Sequence, residues 1–450
     1  MTDWLPAALD YIPSWLDMQL RVFRQPGCVI AIVHRGVVVL ERAFGHADLH
    51  RGEALTPRHR FRAASHAKAV TAAGVMRLRE TGKLKLDDAV GKYVPDLHRD
   101  VARLKIRQLL GHSGGVTRDG ADCGYFYDRK PYPTGRELLR DFQAPPLIRP
   151  GTRFKYSNQG YGLLGLVIAA ASGEAYGSWI KREIIDAVGL TETLPDLPGS
   201  EDALLAHGHT NDLPLGRRVA VRGDYSTRAL APASGLTTTA RDLATFFAQL
   251  SPRATRSVIS APSRRAMTRG RLRNQSGTAV QYGFGTIVGR VGDWTWFGHT
   301  GGLQGYLSRT RMFSAQDLTV SILANSADAP VEQWIDGTVH ILRTFKRRGR
   351  APDRLQDWTG RWWGLWGAID LVPVGNRVAV ANPHAANPFL NASELEIIGP
   401  DTARIKISSG FHYFAEPARR MRNAAGQVIE LWLGGDRLLP QADRASEIER

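Results

Sequence analysis

The sequence predicts an α/β protein in which an antiparallel sheet is flanked by helices and joined to a helical lobe, with a small all-β barrel after it. Three observations lead there. A hairpin pattern near the N-terminus is followed by helical periodicity. Several strand-like runs and a closing helix come next, an order that suits an antiparallel sheet with helices packed on it. The character then changes, and beyond residue 354 short β-like runs alternate with turns. At 450 residues the chain can bury two cores, and the change of character divides it into units of 1–348 and 354–450.

From Trp4 to about Phe23 the pattern is that of an N-terminal helix. Gly27 to Phe44 reads as a β-hairpin, with apolar runs on either side of a turn at Gly36. A helix of small and apolar residues (Ala69, Val70, Ala72, Ala73, Val75, Met76, Leu78) follows and ends at Gly82, a composition suited to burial. Val101 to Leu110 has the spacing of a short helix within a helical middle region. Strands are expected near Tyr282 to Arg290, Trp294 to His299, Ser308 to Phe313 and Leu318 to Asn325, and a closing helix from Val331 to Phe345. Lys346 to Asp353 reads as a basic linker, and the runs from Gly360 to Leu433 as barrel strands. Trp362, Trp363 and Trp366 are read as core and rim aromatics of that barrel.

Apolar content of 43% and charged content of 23% are ordinary for a globular protein. No apolar stretch reaches the ~18 residues that a spanning helix needs. The N-terminus lacks the basic start and unbroken apolar core of a secretory signal, so the expected location is cytoplasmic. Two cysteines cannot make a disulfide framework; Cys28 reads as a small core residue and Cys123 as part of a polar loop. The net charge of +16 does not imply nucleic acid, because the basic residues are scattered and only Lys346-Arg347-Arg348-Gly-Arg350 is compact. His207-Gly-His209 has no further ligand at a metal-binding spacing and reads as a turn.

Chemistry enters at Ser65 and Lys68. They lie three residues apart where a loop gives way to the buried helix, so the amine can lie against the hydroxyl. A second Ser-x-x-Lys, Ser178 to Lys181, sits among charged residues on an apparently exposed helix. Two further groups accompany the first copy alone: Tyr156-Ser157-Asn158 ahead of an apolar run, and His299-Thr300-Gly301-Gly302 at the end of a strand. Gly111-His112-Ser113-Gly114-Gly115 fits Gly-x-Ser-x-Gly, but it follows a helix pattern and precedes a loop, so it reads as a glycine-rich turn at the edge of the site.

In this order and spacing, Ser-x-x-Lys, Tyr-x-Asn and His-Thr-Gly resemble the three motifs of the penicillin-recognising serine hydrolases: class C β-lactamases, DD-peptidases, D-aminopeptidases and related esterases. The resemblance runs from about residue 10 to 345, and the C-terminal part looks like the lipocalin-like barrels attached to some members. It implies that Ser65 forms an acyl-enzyme, that Lys68 and Tyr156 share the proton traffic, and that Asn158 holds Lys68 and the substrate amide. It also implies an oxyanion hole from the backbone amides of Ser65 and Gly302, with His299, Thr300 and Gly301 at the substrate. Which of Lys68 and Tyr156 is the base stays open.

The chain departs from penicillin-binding proteins at His299, which stands where they carry lysine. A histidine is only partly charged near neutral pH, so a fixed cation for a substrate carboxylate is missing. The expected activity is hydrolysis of amide bonds in small peptides or amino-acid amides, with a D-residue or a free amino end. The alternatives are a carboxylesterase or weak β-lactamase of the same fold, and a non-catalytic scaffold. The expected partner is a small-molecule or short-peptide substrate, with no nucleic acid, no membrane, no cofactor and no metal; homo-oligomerisation is left open.

Overall fold

The computed structural model describes residues 4–197, 204–273, 280–408 and 412–450. By packing, the chain forms two compact units: Gln25–Val331, and the residues up to Arg24 together with Glu332–Arg450. The division at the basic cluster, 1–348 and 354–450, stands beside this as a proposal for where separable pieces would be cut. Helix α1 (Trp4–Val22) buries Leu5, Ala8, Ile12, Trp15 and Leu16, the stripe expected of an amphipathic helix.

In the unit Gln25–Val331, β1 (Gly27–His34) is buried along all but its last residue and is therefore an unbroken apolar run. It turns through Arg35 (φ 52) and Gly36 (φ 76) into β2 (Val37–Asp48). Positive φ at both turn residues matches the two-residue hairpin whose twist suits its strands. Strand β3 (Glu53–Ala54) lies outside β2, and β4 (Phe61–Ala64) pairs in a separate ladder with β5 (Leu236–Thr238). The large sheet continues with β6 (Leu272–Arg273), β7 (Gln281–Tyr282), β8 (Ile287–Val291), β9 (Trp294–Leu303), β10 (Tyr306–Phe313) and β11 (Leu318–Ala324). Its nine antiparallel strands run in the order β3-β2-β1-β11-β10-β9-β8-β7-β6.

Two boundaries differ from the sequence expectation. The run from Tyr282 to Arg290 is not one strand: Gly283-Phe284-Gly285 breaks it, with Gly285 at φ +72. A Cβ on Gly285 would lie 2.6 Å from the Lys68 carbonyl oxygen, so glycine lets this turn fold down onto the helix that carries Lys68. Strand β9 does not end at His299 but continues to Leu303 and turns at Gln304-Gly305, so Thr300, Gly301 and Gly302 are strand residues.

The helical lobe centres on α2 (Ala67–Glu80), α3 (Asn158–Ser172) and α4 (Ala231–Ser234), which pack on one another. A Cβ on Gly165 would stand 2.3 Å from Pro232 Cγ, so glycine at that position lets α3 and α4 close together. Val101 to Leu110 is two short helices, Arg99–Ala102 and Ile106–Leu110. His207-Gly-His209 is not a turn, because Gly208–His209 pairs as a strand with Ala220–Val221, and the His209 ring binds the backbone at Asn325 and Leu49. No group of three or more potential metal ligands occurs among the described residues. No single helix among them is long and apolar enough to cross a membrane.

Helix α5 (Val331–Arg348) runs three residues beyond the expected Phe345 and takes Lys346, Arg347 and Arg348 into its last turn. Cations are favoured at a helix C-terminus, which is why a cluster that reads as linker is helical. The barrel strands follow as β12 (Gly360–Gly364), β13 (Gly367–Val374), β14 (Arg377–Ala381), β15 (Ser393–Gly399), β16 (Thr402–Ile407), β17 (Pro417–Arg422), β18 (Val428–Leu433) and β19 (Asp436–Leu438). Each pairs with the next, and the ends meet where Trp363 and Leu439 exchange backbone hydrogen bonds of 2.8 and 2.9 Å, nearly closing an eight-stranded barrel. Trp362 is buried within it, whereas Trp366 is 89% exposed.

Within the second unit Trp15 is fully buried, donates from Nε1 to the Ala385 carbonyl at 3.1 Å, and fills the space left by Gly337. Truncating it removes a large core side chain and one of the two donors to that carbonyl, the other being Gln19 Nε2 at 3.4 Å. Trp15→Ala is expected to destabilise the unit containing the barrel by about 3 to 5 kcal/mol. Urea unfolding followed by circular dichroism reads this, and an unchanged midpoint would show that α1 does not brace that unit.

Candidate active site

Strand β4 ends at Ala64, whose φ of +48 is unusual for a residue with a side chain. That turn delivers Ser65 just ahead of α2. One helical turn on, Lys68 is completely buried, and its Nζ lies 3.1 Å from Ser65 Oγ. The amine has two further contacts, both acceptors: Asn158 Oδ1 at 2.7 Å and the Ala233 carbonyl at 2.8 Å. Asn158 is the first residue of α3, whose N-cap Ser157 accepts from the Gly160 amide, and Ala233 lies in α4. Three helices therefore converge on one nitrogen.

Burial pushes the Lys68 amine well below its ordinary value, with the nearby Asp119 carboxylate acting in the opposite sense. The Tyr156 ring, 4.7 Å from Nζ, also favours the ammonium. Such a contact is worth roughly 0.5 to 2 kcal/mol, whereas withdrawing an ion from water costs several kcal/mol. Desolvation wins. A neutral amine also fits the contacts: its two N–H bonds serve Asn158 and Ala233, and its lone pair faces the Ser65 hydroxyl.

Tyr156 donates its phenol O–H to Ser65 Oγ at 2.9 Å. Burial raises this phenol above its usual value, the opposite of what a phenolate would need. Asn158 Nδ2 donates to Asp119 Oδ1 at 2.5 Å, and Asp119 Oδ2 pairs with Arg118 Nε at 3.3 Å. Asn158 thus joins Lys68 to a carboxylate while keeping the amine and the carboxylate apart.

Strand β9 reaches Ser65 from the other side. A Cβ on Gly301 would fall 2.1 Å from the Ala63 carbonyl oxygen, so only glycine allows the strand to lie against the residues before Ser65. His299 is buried; its Nδ1 is 2.6 Å from the Thr300 carbonyl, and its Nε2 is 3.0 Å from the Tyr282 hydroxyl. Those partners assign the proton to Nδ1 and make Nε2 an acceptor. Burial, followed by the nearby His66 and Lys68, holds its pKa well below 6.5. Where the sequence suggests a partly charged His299, burial therefore favours the neutral ring.

Two other buried imidazoles support the site. His66 donates from Nδ1 to the Ala63 carbonyl at 3.0 Å, and burial lowers its pKa to about 3. His112 accepts the Ser157 amide at 3.1 Å and packs 4.3 Å from the Tyr156 ring. The Gly-x-Ser-x-Gly segment is thus the turn that seats Tyr156; its Ser113 hydroxyl donates to the Gln108 carbonyl. Ser178 is exposed, and Lys181 pairs with Asp186.

A cavity of about 650 Å³ brings together Ser65, Tyr156, His299, Thr300 and Gly302. Lys68 and Asn158 lie behind it, as the contacts above describe. Sequence reasoning missed Tyr282, Arg118 and Lys155, which also line the cavity. Tyr282 had a signal in the Gly-Phe-Gly turn that follows it. A larger cavity of about 740 Å³ opens in the barrel of the other unit, lined by Ile369, Val380 and Trp366.

Comparison with known proteins finds relatives in sequence and in fold. A family model described as Beta-lactamase matches residues 18–340. Protein flp of Staphylococcus aureus is 29% identical over 188 residues, which is 40% of this chain and 37% of flp, so the chain matches well under half of that relative's length. The octameric penicillin-binding protein homologue from Pyrococcus abyssi superposes with a TM-score of 0.67 at 23% identity over 96% of this chain and 99% of that one. The D-amino acid amidase from Ochrobactrum anthropi SV3, solved with D-phenylalanine, superposes with a TM-score of 0.64 at 22% identity over 74% and 99%.

His66, His112 and His299 are all held neutral in the folded state, with pKa values below the ordinary 6.5. Below that pH the unfolded chain binds protons that the folded chain refuses, so stability is full above about pH 6.5 and falls as pH drops. The expected loss is roughly 1 kcal/mol per pH unit for each histidine. Urea midpoints measured between about pH 8 and 5 check this, and a level profile would contradict three neutral buried imidazoles.

Proposed function

The chain belongs to the beta-lactamase family, and on that premise we propose that it is a serine hydrolase that cleaves amide bonds of small peptides or amino-acid amides through an acyl-enzyme on Ser65. The observation that carries this reading is the Ser65 hydroxyl, held at 3.1 Å from a buried amine whose other two contacts are acceptors. In the proposed cycle Lys68 takes the Ser65 proton as Oγ bonds to the substrate carbonyl carbon. The backbone amides of Ser65 and Gly302, both at the cavity, receive the developing oxyanion. Tyr156 gives its proton to the leaving nitrogen as the carbon–nitrogen bond breaks, and the proton on Lys68 restores the phenol. Water then repeats the sequence on the acyl-enzyme.

The directions of the two pKa shifts support Lys68 as the base and Tyr156 as the acid: the amine is lowered and the phenol raised. Asn158, by its contact with Nζ, holds Lys68 in place; because it lies behind the cavity with its amide engaged by Lys68 and Asp119, the expected contact with the substrate amide has no support from this geometry. The D-amino acid amidase of the same fold supports amides as substrates and D-residues as the stereochemistry to test first. Homo-oligomerisation has a precedent in the octameric homologue, and sedimentation of the purified chain reads it. Cytoplasmic location likewise remains a proposal.

Two variants test the chemistry. Ser65→Ala is expected to abolish hydrolysis of D- and L-amino-acid p-nitroanilides, p-nitrophenyl esters and a chromogenic cephalosporin alike, and a fluorophosphonate should label Ser65 by mass spectrometry. Label on Ser113 or Ser178 would sink the assignment. Tyr156→Phe should lower amide turnover by on the order of 10²-fold and activated esters by less, because a good leaving group needs no proton. Equal small losses on both would make Tyr156 structural.

A further inference from the structure

The charges around the mouth of the cavity are one-sided. Arg118 and Lys155 both line it, and none of its described lining residues is acidic. Arg118 is 65% exposed and is held from behind: its Nε pairs with Asp119 at 3.3 Å, and its Cζ stands 5.8 Å from the centre of the Tyr156 ring. Asp119 does not line the cavity, and its other oxygen is taken by Asn158. No protein acceptor meets the terminal nitrogens of Arg118 or the ammonium of Lys155 among the described residues.

We propose that Arg118 and Lys155 are the specificity residues that select substrates carrying a carboxylate on the part that lies over Tyr156. The proposal rests on the serine-hydrolase reading above. A planar guanidinium pinned through Nε leaves its outer edge to bind a carboxylate through two hydrogen bonds. His299, being neutral, supplies no charge from the strand side. The fixed cation that is missing at His299 is thus supplied by two others at the cavity, one from the loop after the Gly111–Gly115 turn and one beside Tyr156. The same arrangement disfavours a free amino group at that position, so a substrate amine must lie elsewhere. The alternative, that these are two of many solvated basic residues on a chain of net charge +16, predicts no such selection.

The test compares N-acetylated dipeptides, in D and L forms, ending in a free carboxylate or in a carboxamide, with release of the terminal amine as the readout. The wild type should favour the carboxylate member. Its preference should shrink as sodium chloride rises from about 0.05 to 0.5 M. In Arg118→Ala/Lys155→Ala the ratio of kcat/KM values, carboxylate over carboxamide, should fall by about tenfold or more, mainly through KM. Arg118→Lys should keep part of the preference, because charge remains while the two-pronged geometry is lost. A ratio within twofold of wild type in the double variant would overturn the proposal. Persistence of hydrolysis in Ser65→Ala would instead bring down the serine-hydrolase reading on which it rests.

Discussion

Lys68 carries its amine into a place screened from water, and the surrounding elements are arranged around that fact. An ammonium there would need a close carboxylate, and the nearest, Asp119, is kept one side chain away by Asn158. What the amine receives instead are two neutral acceptors from different helices. That requires α2, α3 and α4 to approach within side-chain reach. Small residues make it feasible: Gly162 and Gly165 on α3 leave no room for a Cβ against Ala229 and Pro232, and Gly285 leaves none against the Lys68 carbonyl. The glycines of the helical lobe therefore allow the close approach of the elements that surround Lys68.

The same constraint reaches the sheet. Gly301 lets β9 touch the Ala63 carbonyl, and His299 then closes the far wall as an uncharged ring whose two nitrogens are already engaged. A charged group at that point would stand beside a buried amine and raise the cost of every other charge in the site. Buried imidazoles line the inner part of the site, and Arg118 and Lys155 stand at its cavity.

Much of this was legible in the sequence. Ser65 and Lys68 were identifiable because the helix after them is apolar, and the joint presence of Tyr156, Asn158 and His299 separated them from the exposed copy at Ser178. The near-closed barrel was legible from its regular turns. The state of His299 was not, because its burial depends on Tyr282 and His66, which come from distant parts of the chain. Tyr282 itself was hidden inside a run that reads as one strand until Gly283 and Gly285 break it. Arg118 lies in a polar loop with no periodicity, and only the fold shows that the loop returns over Tyr156. The basic end of α5 read as linker because charge was weighed there without the helix dipole.

Fluorophosphonate labelling of Ser65 across pH tests the central claim most directly, since that step needs the Ser65 proton removed but no leaving amine protonated. If the buried amine of Lys68 is the base, only its neutral form acts. The second-order labelling rate should then rise with pH and level off well below pH 10.5, the ordinary value for a lysine, while Lys68→Met should lose both the rate and the transition. A rate that climbs without a plateau to pH 10.5, or a Lys68→Met enzyme that keeps the wild-type profile, would contradict the account.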